Sequence, residues 1–414
     1  MTSAPPSPPP TLTAARRVLR ETFGYPEFRP GQPEVIEDVL ARRDTLAVMP
    51  TGAGKSICYQ VPALLFEEGV TIVVSPLLAL MKDQVDALAQ AGVAAAAINS
   101  TLSRDEQLAV LRRVGAGEVR LLYVAPERFG DGAFRSALRT LPVALLAIDE
   151  AHCISAWGHD FRPAYRELGG VRSLFGDPPI VALTATADPL VRDDIVARVQ
   201  LRQASVHVAG FDRPNLRFDV ARVRNQKEKL PLIAERLKAL NGESAIVYCA
   251  TRKKTEDVTD GLQRLGIRCA RYHAGMEDED RRRAQDAFSR DSLRVIVATN
   301  AFGMGIDKPD VRAVIHHDLP ESLESYYQEA GRAGRDGEPS DCLLLFAPRD
   351  RDLREFFIAQ SHPEPAMVLD VYRALAGHQG ERVHVREVMT SDDEPGVNAA
   401  IQALVESAIA GRRA

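Results

Sequence analysis

Five short runs of β-branched and aliphatic residues, at 45–49, 71–75, 120–124, 144–148 and 180–183, each lead straight into a small or chemically loaded segment, at 50–56, 76–77, 126–128, 149–152 and 184–187. Longer helical patterns separate the runs, the signature of a parallel sheet with helical crossovers. Ligands in such sheets sit just beyond the carboxyl ends of the strands, so five loaded ends predict one shared site. A second set of runs, at 245–249, 269–272, 295–298, 313–316 and 343–346, repeats the same grammar. The expected fold class is therefore α/β, with two tandem parallel-sheet domains at 14–208 and 209–348. The linker is expected near 210–215, where Gly210 and Pro214 break the periodicity.

The flanks read differently. Residues 1–13, with Pro5, Pro6 and Pro8 to Pro10, are expected to be a disordered, partly polyproline tail. Residues 349–414 read as a small helical module. Val397, Ile401, Leu404, Val405 and Ile409 form one amphipathic stripe there, and the order helix, Arg382-Val-His-Val, helix fits an incomplete winged helix.

Composition narrows the function classes. A length of 414 residues allows two to three domains at about 150 each, and 45% apolar with 26% charged residues is ordinary for a folded globular chain. A net charge of −5 gives no molecule-wide positive field, so any polyanion site must be local. Cys58, Cys153, Cys249, Cys269 and Cys342 are widely spaced with no C-x-x-C pair, so neither a disulfide framework nor a structural zinc is expected. The uncharged run 87–103 contains Gln90, Asn99 and Ser100 and falls short of the roughly 18 apolar residues of a membrane helix. The amino terminus has neither the basic nor the apolar region of a secretory signal, so a cytoplasmic, membrane-free protein is expected.

The chemistry concentrates first at residues 49–56 (MPTGAGKS), a Gly-Lys-Ser ending placed after a strand and before an apolar helical run. Gly52 and Gly54 let the backbone of Pro50, Thr51, Ala53 and their neighbours wrap phosphate oxygens, with a helix amino terminus pointing at them. Lys55 would contact the β- and γ-phosphates of ATP, and the Ser56 hydroxyl a magnesium ion. Asp149 and Glu150 close an aliphatic strand ahead of Ala151 and His152. Asp149, nearest the strand end, is the magnesium partner, and Glu150 the base or water-orienting group for attack on the γ-phosphate. Near the end of the second α/β unit, Arg332 and Arg335 lie three apart on an expected helical turn and so face the same way. Cations brought from a second domain to a γ-phosphate make hydrolysis depend on domain closure. Gly331 and Gly334 beside them cost about 1 kcal/mol each in an exposed helix, which suggests close backbone approach.

These segments resemble the RecQ-type DNA helicases of helicase superfamily two. The likeness rests on residues 23–32 (FGYPEFRPGQ), 49–56, 74–84 (VSPLLALMKDQ), 149–152 (DEAH), 154–163 (ISAWGHDFRP), 183–187 (LTATA), 298–307 (ATNAFGMGID) and 328–337 (QEAGRAGRDG), in the family's order. It implies two RecA-like domains forming a P-loop helicase core. It implies that Tyr25, Arg29 and Gln32 hold the adenine, Gln32 reading its edge through a bidentate amide, and that Asp307 joins the nucleotide site from the second domain. His152 takes a catalytic place in the same comparison, Thr184 and Thr186 match the segment coupling hydrolysis to strand movement, and Arg332 and Arg335 match the arginine fingers.

Trp157, Phe161 and Tyr165, interleaved with His159, Arg162 and Arg166, follow Glu150 directly. Aromatic faces stack on unpaired bases for about 1–3 kcal/mol each while arginines track the backbone. The stretch resembles the aromatic-rich loop of RecQ enzymes, which links DNA occupancy to hydrolysis. The resemblance adds Ser75, Pro76, Arg252 and His273 as strand contacts. It implies 3′ to 5′ travel on single-stranded DNA, with unwinding of partly duplex DNA in repair or recombination by a monomer associated with the bacterial nucleoid.

The match stops short of the family's four-cysteine zinc module, since no such set follows Cys342. Residues 361–414 carry five basic and eight acidic side chains, unlike a duplex clamp, so strong duplex separation is not expected of this segment. Two alternatives stay open: an RNA helicase of the same superfamily, and a DNA-stimulated translocase with weak unwinding.

Overall fold

The computed structural model describes residues 10–155, 162–210, 212–303, 308–361, 363–378 and 394–406. Two parallel sheets carry the chain. The first contains β1 (Thr45–Val48), β2 (Val70–Val74), β3 (Ala95–Ile98), β4 (Leu121–Val124), β5 (Val143–Ile148), β6 (Ile180–Thr184) and β7 (Ser205–Val208), in the order β3-β4-β2-β5-β6-β1-β7. The second contains β8 (Leu216–Arg222), β9 (Ser244–Tyr248), β10 (Cys269–Tyr272), β11 (Val295–Ala298), β12 (Val311–His316) and β13 (Ser340–Phe346), in the order β10-β11-β9-β12-β13-β8. Every pairing in both sheets is parallel.

Central strands are covered on both faces and therefore read as unbroken aliphatic runs. In the first sheet Leu46, Val48, Ile72 and Ile148 face one core while Ala47, Val73, Leu145 and Leu183 face the other. In the second, Val247, Val297 and Ile315 face one core and Ile246, Ile296 and Val314 the opposite one. Each fully buried aliphatic side chain of this size contributes roughly 1.5–3 kcal/mol.

Three strands escape the sequence pattern. β3 is alanine-rich, a composition with weak strand preference. β7 and β8 are outer strands whose exposed Val206, Val208, Phe218 and Val220 alternate with polar residues. The interval between them, 209–215, is the passage from one sheet to the other. The amino-terminal helix starts at Leu12, capped by the Thr11 hydroxyl, inside the stretch expected to be a tail.

In the second lobe the carboxyl end of β12 is neutralised internally. The fully buried Lys229 ammonium donates to both carboxylate oxygens of Asp350, at 2.8 and 2.7 Å, and to the His317 carbonyl, with Asp318 at 4.0 Å. Beyond β13, helices at Asp350–Ser361, Pro365–Ala376 and Glu394–Glu406 follow, and Val371 packs with Val397, Ala400, Ile401 and Leu404 in a separate small core. Arg382 to Val385, the centre of the winged-helix expectation, lie outside the described residues, as do Ile409 and the Val405 side chain. Among the described residues no helix is long and apolar enough to cross a membrane.

Candidate nucleotide site between the lobes

The phosphate loop grows out of β1. Residues 50–55 leave the strand in turns, and the helix Ile57–Leu65 begins with Ser56 at its cap. Gly52 and Gly54 adopt φ of 83° and 73°, the left-handed region that only glycine enters without strain. Lys55 folds back so that its ammonium lies 3.4 Å from the Met49 carbonyl. The loop is braced from behind. Gln32, 3% exposed, donates from Nε2 to the carbonyls of Ala53 at 2.9 Å and Gly54 at 3.0 Å, while its Oε1 accepts the Arg29 backbone N–H at 2.9 Å. The Arg29 guanidinium donates to the Gly52 carbonyl.

Both ends of the Gln32 amide bond the loop and Arg29, so reading an adenine edge requires exchanging those bonds. Tyr25, Arg29 and Gln32 do line one cavity of about 410 Å³ with Gly52, Gly54 and Ser56, and Tyr25 stands half exposed at its mouth.

β5 delivers the acids. Asp149 N–H donates to the Val74 carbonyl, and the Glu150 N–H donates to Asp149 Oδ1 at 3.0 Å. Glu150 has φ 47° and ψ 48°, a conformation that costs a non-glycine residue on the order of 1 kcal/mol or more and concentrates at functional turns. Burial raises the Asp149 carboxyl to about 7, the neighbouring Glu150 charge pushes the same way, and Lys55 and the Glu150 N–H oppose them. Glu150 Oε2 is buried and accepts no hydrogen bond among the described residues. Two acids, one ammonium and a hydroxyl of the first lobe converge here. That oxygen donor set fits a magnesium ion at Asp149 and Ser56.

His152 is not at the cavity surface. It is 2% exposed, and its Nδ1 lies 2.9 Å from the Thr184 hydroxyl, which donates to the Thr186 carbonyl at 3.0 Å. Glu150 Oε2 is 3.4 Å from the same Nδ1. The imidazole therefore sits between the acid turn and the 184–187 segment.

The second lobe supplies the arginines. The helix Leu323–Ala330 ends at Gly331, and Arg332 to Arg335 follow in turns instead of a continued helix, because Gly334 N–H bonds the Val311 carbonyl and pulls the chain back to β12. Both arginines nevertheless line one cavity of about 230 Å³ with Lys55, Ser56, Asp149 and Glu150. Arg332 is nearly buried, and a Cβ on Gly303 would come within 2.8 Å of its Nη2, so this glycine is what lets the guanidinium lie flat there.

Sequence reasoning missed Arg213. Its Nη1 donates to the Thr51 carbonyl of the phosphate loop at 2.9 Å, and its Nη2 to the carbonyls of Ala333 and Gly334 at 3.0 and 2.8 Å. Its one local signal is an arginine beside the proline of the linker, a segment whose sequence is marked chiefly by its helix breakers.

The proposed strand contacts fare less evenly. Tyr165 is fully buried with its hydroxyl donating to the Asp149 carbonyl at 2.9 Å, so it presents no face for a base and instead supports the acid turn. Ser75 and His273 are buried as well, and the His273 ring lies 3.3 Å from Glu256. Arg162 donates to the Pro76 carbonyl at 2.9 Å, joining the segment after the acid turn to the one after β2. Arg252 is exposed beside Gly275 and His273. Trp157, Phe161 and Asp307 lie outside the described residues.

Two parallel-sheet lobes with a phosphate loop and paired acids in one and arginines from the other facing them define a P-loop helicase core. The description "DEAD/DEAH box helicase" matches residues 29–194, and "Helicase conserved C-terminal domain" matches 228–337. Among solved structures, the DUF1998 helicase MrfA bound to DNA covers 97% of this chain and 61% of its own at TM-score 0.69 and 19% identity. Dbp5 of S. cerevisiae bound to RNA and ADP BeF3 covers 84% of this chain and 92% of its own at TM-score 0.66 and 18% identity. These share the fold.

The family follows from the sequence relatives: the chain belongs to the RecQ helicases. It is 49% identical over 362 residues to the ATP-dependent DNA helicase RecQ of Bacillus subtilis, covering 87% of this chain and 61% of that one. It is 42% identical to the probable ATP-dependent DNA helicase RecS of the same organism, covering 88% of this chain and 73% of that protein. The chain thus spans little more than half the length of the RecQ proteins it matches, 61% in Bacillus subtilis and 53% in Pasteurella multocida.

Proposed function

We propose that this chain is the motor of an ATP-dependent, 3′ to 5′ DNA helicase of RecQ type, which couples hydrolysis to movement on single-stranded DNA and to unwinding of partly duplex DNA. Residues 14–208 and 209–348 are its two lobes. The observation that carries the reading is that Arg332 and Arg335 of one lobe line the same cavity as Lys55, Asp149 and Glu150 of the other. Lys55 and the loop N–H groups hold the β- and γ-phosphates of ATP. Ser56 and Asp149 hold magnesium, which neutralises phosphate charge when bound. Glu150 orients a water and takes its proton, and the two arginines stabilise charge on the transferring phosphoryl group. Release of the arginines after hydrolysis lets the lobes part, and alternating closure and parting moves a strand.

DNA is favoured over RNA because the relatives at 49, 47 and 48% identity are named DNA helicases. On this reading the chain acts as a monomer, in the cytoplasm with the nucleoid, where a DNA substrate lies. Lys55→Ala should abolish phosphate release stimulated by single-stranded DNA, a loss of at least about a hundredfold. Normal turnover in that variant would defeat the reading. Titration with DNA and RNA strands, following Trp157 emission with phosphate release, separates the two substrates and tests the stacking loop together.

A further inference from the structure

Between the lobes the chain crosses as Asp212, Arg213, Pro214 and Asn215, and the two side chains flanking the proline grip the same turn. Asn215 Nδ2 donates to the carbonyls of Gly334 at 2.8 Å and Glu338 at 3.0 Å, both in the second lobe, and the Asn215 carbonyl accepts the Ser340 N–H. Asn215 therefore fastens the arginine turn to its own lobe. Arg213 does something different. One nitrogen of its fork donates to Thr51 in the phosphate loop and the other to Ala333 and Gly334, with the Gly331 carbonyl at 3.4 Å from the first.

A planar guanidinium presents its donors in fixed directions, so satisfying acceptors on two bodies at once fixes the bodies relative to each other. The packing leaves little slack. A Cβ on Gly52 would lie 3.2 Å from Arg213 Nη1 and 3.5 Å from Arg335 Cγ, so the linker arginine and the finger arginine both lie against the phosphate loop. A Cβ on Gly331 would meet Thr51 Cβ at 3.2 Å. The acceptors are backbone carbonyls, so the contact reads loop geometry and not side-chain charge.

We propose that Arg213 is a positioning residue that ties the phosphate loop to the arginine turn, so that Arg332 and Arg335 reach the cavity only when the loop offers the Thr51 carbonyl. The role rests on the ATPase reading above. When the lobes part, the Thr51 bond is the one lost, and the bonds to Ala333 and Gly334 travel with the second lobe. Closure of the cleft and placement of the fingers are thereby one event, carried by the linker. Burial lowers the pKa of Arg213, consistent with a guanidinium held by neutral acceptors.

The test is steady-state hydrolysis by the full chain with saturating single-stranded DNA, alongside Arg335→Ala and Asn215→Ala. Arg213→Ala is expected to lower kcat about tenfold to a hundredfold while the KM for ATP and the affinity for the strand change less than about threefold. In a pair of dyes, one on each lobe, the closed fraction induced by a non-hydrolysable ATP analogue and DNA should fall in Arg213→Ala and persist in Arg335→Ala, since the latter removes a finger and leaves the tie. Arg213→Lys keeps the charge but not the fork and should lose at least about fivefold in kcat; it is the variant that decides if Arg213→Ala melts early. Normal kcat in Arg213→Lys with unchanged closure overturns the assignment, as does an equal loss in KM and kcat. If the unmodified chain shows no DNA-stimulated hydrolysis, the ATPase reading fails instead, and a dead Arg335→Ala beside an active Arg213→Ala rejects the linker role alone.

Discussion

Each lobe ends a central strand in a carboxylate, half-buried at Asp149 and buried at Asp318, and the two are treated in opposite ways. Asp149, after β5, is raised to about 7 by burial and by Glu150, with Lys55 the one cation set against them. For Asp318, after β12, burial also works upward, but the His317 hydrogen bond and charge, the Ala250 N–H and Lys254 outweigh it and hold the carboxyl at about 2. The second lobe completes its charges from within, through Lys229 and Asp350. The first sets only Lys55 of its own against two acids, and Arg332 and Arg335 come to that cavity from the other lobe. The difference separates a carboxylate that maintains a fold from one that, on the ATPase reading, is kept for a ligand.

The comparison can be broken most decisively at Glu150. Glu150→Gln should reduce DNA-stimulated phosphate release by about a thousandfold or more without loss of thermal stability, because it removes a like charge beside Asp149. A destabilised variant would put Glu150 in the same class as Asp318. In the other lobe Asp350→Ala should cost about 3–5 kcal/mol in urea unfolding, since the Lys229 ammonium loses its main partner in a site with no water access. A small loss there would mean that Lys229 finds another partner and the cluster is looser than it looks.

Acid titration of stability sharpens the contrast with smaller effects of opposite sign. The depressed Asp318 contributes about 2 kcal/mol that is present above pH 4 and lost as pH falls toward 2. Asp149, raised in the folded chain, does the reverse: its contribution is full below about pH 4 and disappears as pH rises toward 7. Asp318→Asn should flatten the first limb and Asp149→Asn the second, and added magnesium should flatten only the second.

What could be read from sequence followed from how much each residue's surroundings are local. Central strands are covered on both faces, so their composition announces them, whereas β3, β7 and β8 are held by pairing and by neighbours far along the chain. Residues 50–56 and 149–150 carry their chemistry in their own spacing. Gln32, Tyr165 and His152 do not, because whether an amide, a phenol or an imidazole faces a cavity or a backbone carbonyl depends on residues tens of positions away. Arg213 is the extreme case, with its main partners at 51 and at 331–334 and only the adjacent Pro214 as a local mark.

Parallel topology sends the proposed nucleotide chemistry to one rim of each sheet, and several glycine turns lie on the opposite rim. Gly92, Gly117, Gly242 and Gly266 sit in those rear turns with positive φ and nothing within 4 Å of where a Cβ would stand. Those turns are where fluorophores, affinity handles or surface tethers can be grafted, leaving the working edge bare for optical or single-molecule recording.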